Sequence, residues 1–308
     1  MIQPECTIQG RQLPADRLAE LRQFDGQLAD HAAVSSEFAE QGYLLLRSVL
    51  DRAAVLAARS EVFAKLRDVG EIQSPASEGI STGTSRRAEL YPDLGAFWSA
   101  VSEGQALRAV THGDQLREVL SAVMDQPARP HDLMYVRPMP PGPGTRLHYD
   151  LPFFAGFSPS IHTAWVPLGD VAIEEGPLAV MERSHTFADL LEPISQHDYS
   201  SDRSNQTIQQ AAYDAQSALH PIDLAEQREV RLLTAEFRAG DVLIFQMQLM
   251  HGSLDNRSPR ERVRLSCDVR YQPAGDAWDD PRYFGSQPTG SKGGGYADMR
   301  GAQPLGSG

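Results

Sequence analysis

Arg262-Val263-Arg264-Leu265-Ser266-Cys267-Asp268-Val269-Arg270 alternates without a break. Arg, Arg, Ser, Asp and Arg fall on one side, and Val, Leu, Cys and Val on the other. A period of two marks an extended strand with two unlike faces. A strand buried in a purely parallel sheet would be apolar throughout, because helices cover both its faces. The alternation predicts a strand with one apolar face. Its polar face has two readings. Either it is solvated, or it lines a cavity for an acid, where arginine forks grip a carboxylate and a serine adds a hydrogen bond.

Working outward, more short strands precede it. Segments 132–139 (DLMYVRPM), 161–168 (IHTAWVPL), 177–181 (PLAVM), 230–237 and 242–245 are apolar runs. Turn residues bound them, among them Glu174-Glu175-Gly176, Gly240-Asp241 and the Pro/Gly run 140–144. Gly42 introduces another buried strand, Tyr43-Leu44-Leu45-Leu46. The first 130 residues otherwise lean helical. Leu18, Leu21, Phe24 and Leu28 recur at spacings of three and four, which predicts an amphipathic helix. Asp51 reads as the N-cap of a helix to about Arg67, with Val55, Leu56, Val62, Phe63 and Leu66 on its apolar side. Residues 96–125 are helical in pattern, while 70–95 carry Gly79, Gly83 and a cluster of Ser and Thr that predict a loop. Helices first and strands after imply an α+β protein, or a sandwich dressed with helices, not an alternating βαβ design. No GxGxxG or GxxxxGK[ST] segment occurs, which argues against dinucleotide and P-loop chemistry.

The formal charge is 28 − 41 = −13, which disfavours binding to nucleic acid or an acidic membrane surface. Cys6 and Cys267 give neither a disulfide framework nor a zinc spacing. No basic region followed by an apolar run opens the chain, and no apolar run nears the ~20 residues of a membrane span. A reduced, cytoplasmic setting is expected.

Chemistry concentrates in Leu147-His148-Tyr149-Asp150. In an extended strand, His148 and Asp150 would share a face. His251 follows the apolar strand 242–245, and brought in by folding it would complete a 2-His-1-carboxylate set for Fe(II) with positions left open. An H-x-D pair alone is common, so the blocks around it decide. Those blocks are 147–150, Thr163-Ala164-Trp165-Val166-Pro167-Leu168, Gly176-Pro177-Leu178 through Ser184-His185, Gly240-Asp241-Val242, and His251-Gly252-Ser253 through Asn256 to Arg262.

In order and spacing these blocks resemble the phytanoyl-CoA dioxygenase family of Fe(II)/2-oxoglutarate-dependent oxygenases, over about residues 130–272. The resemblance implies a double-stranded β-helix (jelly-roll, cupin-like) core flanked by N-terminal helices. On that pattern residues 1–284 form a single oxygenase domain. Its helical N-terminal region covers 1–128, its core covers 129–284 with an insertion or lid at 186–228, and a flexible tail follows at 285–308. The implied iron ligands are His148, Asp150 and His251, and the cofactors are Fe(II), 2-oxoglutarate and O2. Arg262, eleven residues after His251, takes the place of the arginine that holds the distal carboxylate of 2-oxoglutarate, and Arg264 is the second choice. Ser253, Tyr135 and Arg137 are further candidates for the cosubstrate pocket. The implied reaction is hydroxylation of an unactivated C–H bond of a small molecule, with release of succinate and CO2. Desaturation, epimerisation, cyclisation or a silent binding role are the alternatives. An aspartate, where related halogenases carry a small residue, favours oxidation over halogenation.

Arg86 and Arg87, in the loop 70–95, are either a solvated pair or contacts for an anionic substrate. Trp165 is either core or a substrate contact. Ser184 reads as a helix cap. His31, His112, His197 and His220 lie in polar segments and read as solvated. The oligomeric state is not readable from sequence.

Overall fold

The computed structural model describes residues 6–154, 160–195, 219–276 and 279–305. A short hairpin, β1 (Thr7–Ile8) with β2 (Arg11–Gln12), precedes β3 (Leu18–Glu20). The helix expected over Leu18–Leu28 does not form. Leu18–Glu20 instead pairs in parallel with Leu232–Thr234, and Gln23 bridges to Leu45. Leu21 and Phe24 are buried from opposite sides of this segment, in two different core clusters. A spacing of three and four is therefore satisfied by an edge strand and a loop.

Helix α1 (His31–Gln41) ends at Gly42, whose φ of 76° is the left-handed conformation that glycine adopts without strain. The chain then enters β4 (Tyr43–Leu46). Asp51 caps α2 (Arg52–Asp68), accepting the Ala53 N–H at 2.9 Å. Short α3 (Arg87–Leu90), then α4 (Leu94–Ser102), α5 (Gln105–Thr111) and α6 (Asp114–Met124) complete the helical region. Strands β5 (Ala128–Met139), β6 (His162–Pro167), β7 (Leu178–Met181), β8 (Leu232–Thr234), β9 (Val242–Gln246), β10 (His251–Ser253) and β11 (Arg264–Pro273) follow.

They form two sheets. The larger, in the order β4-β9-β6-β11-β5, is antiparallel throughout. The smaller has the order β10-β7-β8-β3. Tyr43, Leu45, Trp165, Leu243 and Phe245 of the larger sheet meet Leu178, Val180 and Leu233 of the smaller in one apolar cluster. The alternate residues Leu44, Leu46, Ala164, Val166, Val242 and Ile244 join the cluster that holds α2 and α4–α6. The period of two thus splits each strand between an inter-sheet core and a helix-covered back. Among the described residues no helix is long and apolar enough to cross a membrane.

Three further expectations change. Residues 147–150 make no strand: only His148 is bridged, to His251, by paired backbone bonds of 2.9 Å, and α7 (Leu151–Phe154) follows at once. Ser184 caps no helix. Its hydroxyl accepts the Met250 N–H at 2.8 Å and its carbonyl accepts the Tyr149 hydroxyl at 2.9 Å, which ties the two histidine-bearing segments together. The tail is not loose over its described residues, because Tyr296, Met299, Ala302 and Leu305 join the core. Of the insertion 186–228, α8 (Ala188–Ser195) and α9 (Pro221–Gln227) flank a stretch that lies outside the described residues. His197 lies there too.

Candidate active site

Three positions far apart in the chain or in different local structure converge between the sheets. Ligand atoms of His148, Asp150 and His251 lie within 4.8 Å of one another. Asp150 Oδ1 is 3.7 Å from His148 Nε2 and 3.9 Å from His251 Nε2. The crossing of the segments depends on Gly252: a Cβ there would sit 2.6 Å from the Thr145 carbonyl oxygen.

Each imidazole is oriented from behind. His148 Nδ1 donates to the Arg146 carbonyl at 2.8 Å, and His251 Nδ1 to the Leu249 carbonyl at 3.0 Å. These bonds fix the proton on Nδ1 and leave both Nε2 lone pairs pointing at the site, as metal-ligating histidines require. Burial, then the neighbouring His251, pulls His148 down to about 4, and burial also lowers His251. Both imidazoles are therefore neutral and able to ligate at neutral pH.

Asp150 is divided in the same way. Its Oδ2 accepts from Arg270 Nη2 at 2.7 Å and from the Thr163 hydroxyl at 2.8 Å, which leaves Oδ1 toward the imidazoles. Thr163 and Arg270 are register partners on β6 and β11, so the sheet itself aims this carboxylate. Burial disfavours its charge, but Arg270 and the two histidines outweigh that and hold Asp150 well below the usual carboxylate range. Burial likewise opposes the charge of Arg270, and Asp150 and Asp268 raise it above its ordinary value. Two nitrogens, that of His148 on a partly exposed ring, and one buried carboxylate oxygen, directed at a common point, fit an iron ion bound on one face.

A small pocket adjoins the triad, lined among others by Thr145, Trp165, Ser253, Arg264 and Asp268. The polar face of β11 lies on the inside: Arg264, Ser266, Asp268 and Arg270 are all buried. The solvated reading of this face is therefore excluded. Arg264 Nη1 donates to Ser266 at 2.6 Å and its Nη2 lies 3.0 Å from Met139 Sδ, while its Nε has no hydrogen-bond partner among the described residues. Burial draws Arg264 down to about 9. Arg137 pairs with Asp268. Three guanidiniums, Arg137, Arg264 and Arg270, thus face two carboxylates, Asp150 and Asp268. That excess cation and the orphaned Nε suit a carboxylate ligand.

The remaining candidates separate. Arg262 does not reach the pocket lining. It pairs with buried Glu175 at 2.9 Å, ahead of the first residue of β11, so its fork is occupied by a protein carboxylate. Ser253 lines the pocket and accepts the Thr145 N–H at 2.8 Å. Tyr135 packs on Arg270, with the guanidinium 4.6 Å from the ring centroid. Trp165 is fully buried against Phe237, with its other side on the pocket. Arg86 is exposed and pairs with Glu89, and Arg87 is buried against Glu71. Both are thus engaged within the protein. His112 and His220 are not simply solvated: the first donates to the His131 carbonyl, and the second accepts the Ile222 N–H at the start of α9.

The sequence pattern did not single out Arg270, Thr163, Thr145 or Asp268. Arg270 and Asp268 were visible on the polar face of the alternating strand. Thr163 carried no signal until the register was known.

Two imidazoles and an aspartate beside a cationic pocket define the class: the donor set is that of a non-haem iron oxygenase using 2-oxoglutarate. Residues 38–264 match the family Phytanoyl-CoA dioxygenase (PhyH), and the chain belongs to that family. It is 27% identical over 267 residues to the 1-deoxypentalenic acid 11-beta-hydroxylase of Streptomyces arenae, covering 80% of this chain and 83% of that protein. The enzyme of the same name from Streptomyces exfoliatus is 25% identical over 255 residues, with the same coverage. Among solved structures, the epimerase SnoN in complex with Fe3+, alpha ketoglutarate and nogalamycin RO superposes with a TM-score of 0.54 at 20% identity, over 85% of this chain and 94% of that one. The non-heme alpha ketoglutarate dependent carbocyclase SnoK from nogalamycin biosynthesis gives 0.53 at 20% identity, over 78% and 83%. These last two speak for the fold.

Proposed function

We propose that this protein hydroxylates an unactivated C–H bond of a small molecule, consuming 2-oxoglutarate and O2 and releasing succinate and CO2, on a double-stranded β-helix core. The observation that carries the reading is Asp150: its Oδ2 is held by Arg270 and Thr163 while its Oδ1 faces two Nε2 atoms. His148, Asp150 and His251 hold Fe(II), which supplies the oxidising chemistry when bound with cosubstrate and O2. Arg264 binds the distal carboxylate of 2-oxoglutarate, at the end of the pocket where a buried cation lacks an acid. Ser253 and Thr145 shape the wall beside it, and Trp165 closes it from water on the inter-sheet side. The named hydroxylases at 25–27% identity support oxygen insertion over the other outcomes of this chemistry.

The test is succinate formation from 2-oxoglutarate with Fe(II), O2 and ascorbate, followed by a screen of small molecules by mass. Wild type should form succinate slowly even without its substrate, and His148→Ala and Asp150→Ala should not. Gain of one oxygen marks hydroxylation, loss of two hydrogens desaturation or ring closure, and unchanged mass epimerisation. A wild-type protein that neither binds Fe(II) nor forms succinate would sink the reading.

A further inference from the structure

The C-terminal residues fold back onto the sandwich and reach the site. Two 3-10 turns, Gly295–Asp298 and Arg300–Ala302, lie there. Arg87 Nη1 donates to the carbonyls of Gly301, Ala302 and Gln303 at 2.8, 3.0 and 3.1 Å. The Arg87 Nη2 pairs with Glu71 at 2.5 Å, both side chains fully buried. Gly301 lies so close to the Trp98 ring and the Val136 carbonyl of edge strand β5 that a Cβ would come within 2.2 and 2.9 Å of them. The segment is thus clamped along β5.

This clamp gives the cosubstrate pocket a second chamber. Met299, Arg300 and Gly301 form one wall of a small, partly open cavity, which shares Arg137, Thr145 and Arg264 with the pocket beside the triad. The two spaces meet at Arg264. Arg300 is exposed, and among the described residues it has no carboxylate partner. Arg137 is already taken by Asp268. Arg264 and Arg300 therefore face one cavity with no acid between them, and their charges repel. Two cations sharing a partly enclosed space are stabilised by an anion that touches both.

We infer that Arg300, delivered by the C-terminal segment, is a second cation for the distal carboxylate of 2-oxoglutarate, opposite Arg264. The Arg87–Glu71 pair is the fixture that holds that segment in place. The inference rests on the cosubstrate reading above and adds a residue outside the span 38–264 matched by the family.

The experiment is calorimetric titration of anaerobic, Fe(II)-loaded protein with two acids. One is 2-oxoglutarate. The other is 2-oxobutanoate, which has the same chelating end and no distal carboxylate. Arg300→Gln should weaken 2-oxoglutarate about tenfold, the worth of one charge-assisted bond at a half-open site, and leave 2-oxobutanoate unchanged. Arg300→Lys should keep most of the affinity. Thermal unfolding should not move, since the side chain holds no other group among the described residues. Equal 2-oxoglutarate affinity in Arg300→Gln and wild type overturns the inference, and so does an equal loss for both acids. A wild type that binds no 2-oxoglutarate overturns the cosubstrate reading first, which is a different result from either.

Discussion

Arg262 and Arg264 stand two residues apart, and the structure gives them opposite duties, so replacing each by methionine should produce crossed effects. Arg264 is buried, touches no carboxylate and has an orphaned Nε. A charge-assisted bond to a buried cation contributes about 2–4 kcal/mol. At 1.4 kcal/mol per tenfold, Arg264→Met should weaken 2-oxoglutarate roughly 30- to 700-fold. The same change should not harm the metal-free, cosubstrate-free fold. It loses one hydrogen bond to Ser266, worth about 1 kcal/mol, and removes a cation that burial already disfavours, down to about 9. An apolar side chain of similar size there should leave stability level or raise it. Arg262→Met strands Glu175, which is 4% exposed. Breaking a fully buried pair costs about 3–5 kcal/mol. The Arg262 side chain is 30% exposed, which brings the expectation to about 2 kcal/mol. Its effect on 2-oxoglutarate should be small. The assays are anaerobic titration of the Fe(II)-loaded protein and urea unfolding of the metal-free protein. If Arg262→Met abolishes cosubstrate binding while Arg264→Met binds normally, the assignment drawn from the pocket lining is refuted.

Two further outcomes follow from buried charge elsewhere. Glu71→Gln leaves Arg87 as a fully buried cation with only carbonyl partners. It should cost about 3–5 kcal/mol in urea unfolding and speed proteolysis within 295–305, and unchanged resistance to protease would contradict the fixture. His131 is 1% exposed, packed among Phe154, Tyr283 and Phe284, and burial draws it down to about 3. Its unfolded value is about 6.5, so below that pH the unfolded chain binds a proton that the folded chain refuses. Stability should then fall by about 1.4 kcal/mol per pH unit, or about 2 kcal/mol between pH 6.5 and 5. Above pH 6.5 the histidine has no effect. His131→Gln should reduce the acid-induced loss by that amount, and an identical loss in both proteins would count against it.

The sheet strands were legible because their code is local. Alternation in 262–270 and the apolar runs at 43–46 and 242–245 carry their own period, and the structure forms strands at all three. The failures came where partners are distant. Leu18, Leu21 and Phe24 have helical spacing, but the free N–H and C=O groups of Leu232–Thr234 recruit Leu18–Glu20 into a sheet. The C-terminal tail, rich in Gly and Ser, lacks the composition of a packed element, and its burial depends on Trp98, Val136 and the carbonyl-binding Arg87. In the site, the triad was visible as residues in family order. The choice between Arg262 and Arg264 was not, because it turns on Glu175, which occupies the first of them from across a turn.

The strand that alternates charged and apolar residues therefore has a consequence beyond marking a sheet. Its inner face places Arg264, Ser266, Asp268 and Arg270 in one row, two residues apart, between the two sheets. Water cannot solvate such a row, so each charge must find its partner inside. Arg270 finds Asp150, and Asp268 finds Arg137. Arg264, at the far end, finds only a hydroxyl and a thioether. The row thus grades from a cation that aims a metal ligand to a cation still short of an acid. A rigid strand sets the distance between those two ends before any ligand arrives. A dicarboxylate that chelates iron at one end and meets Arg264 at the other is selected by length as well as charge. A monocarboxylic oxo acid would leave the far cation as it stands in the free protein, buried and unmatched.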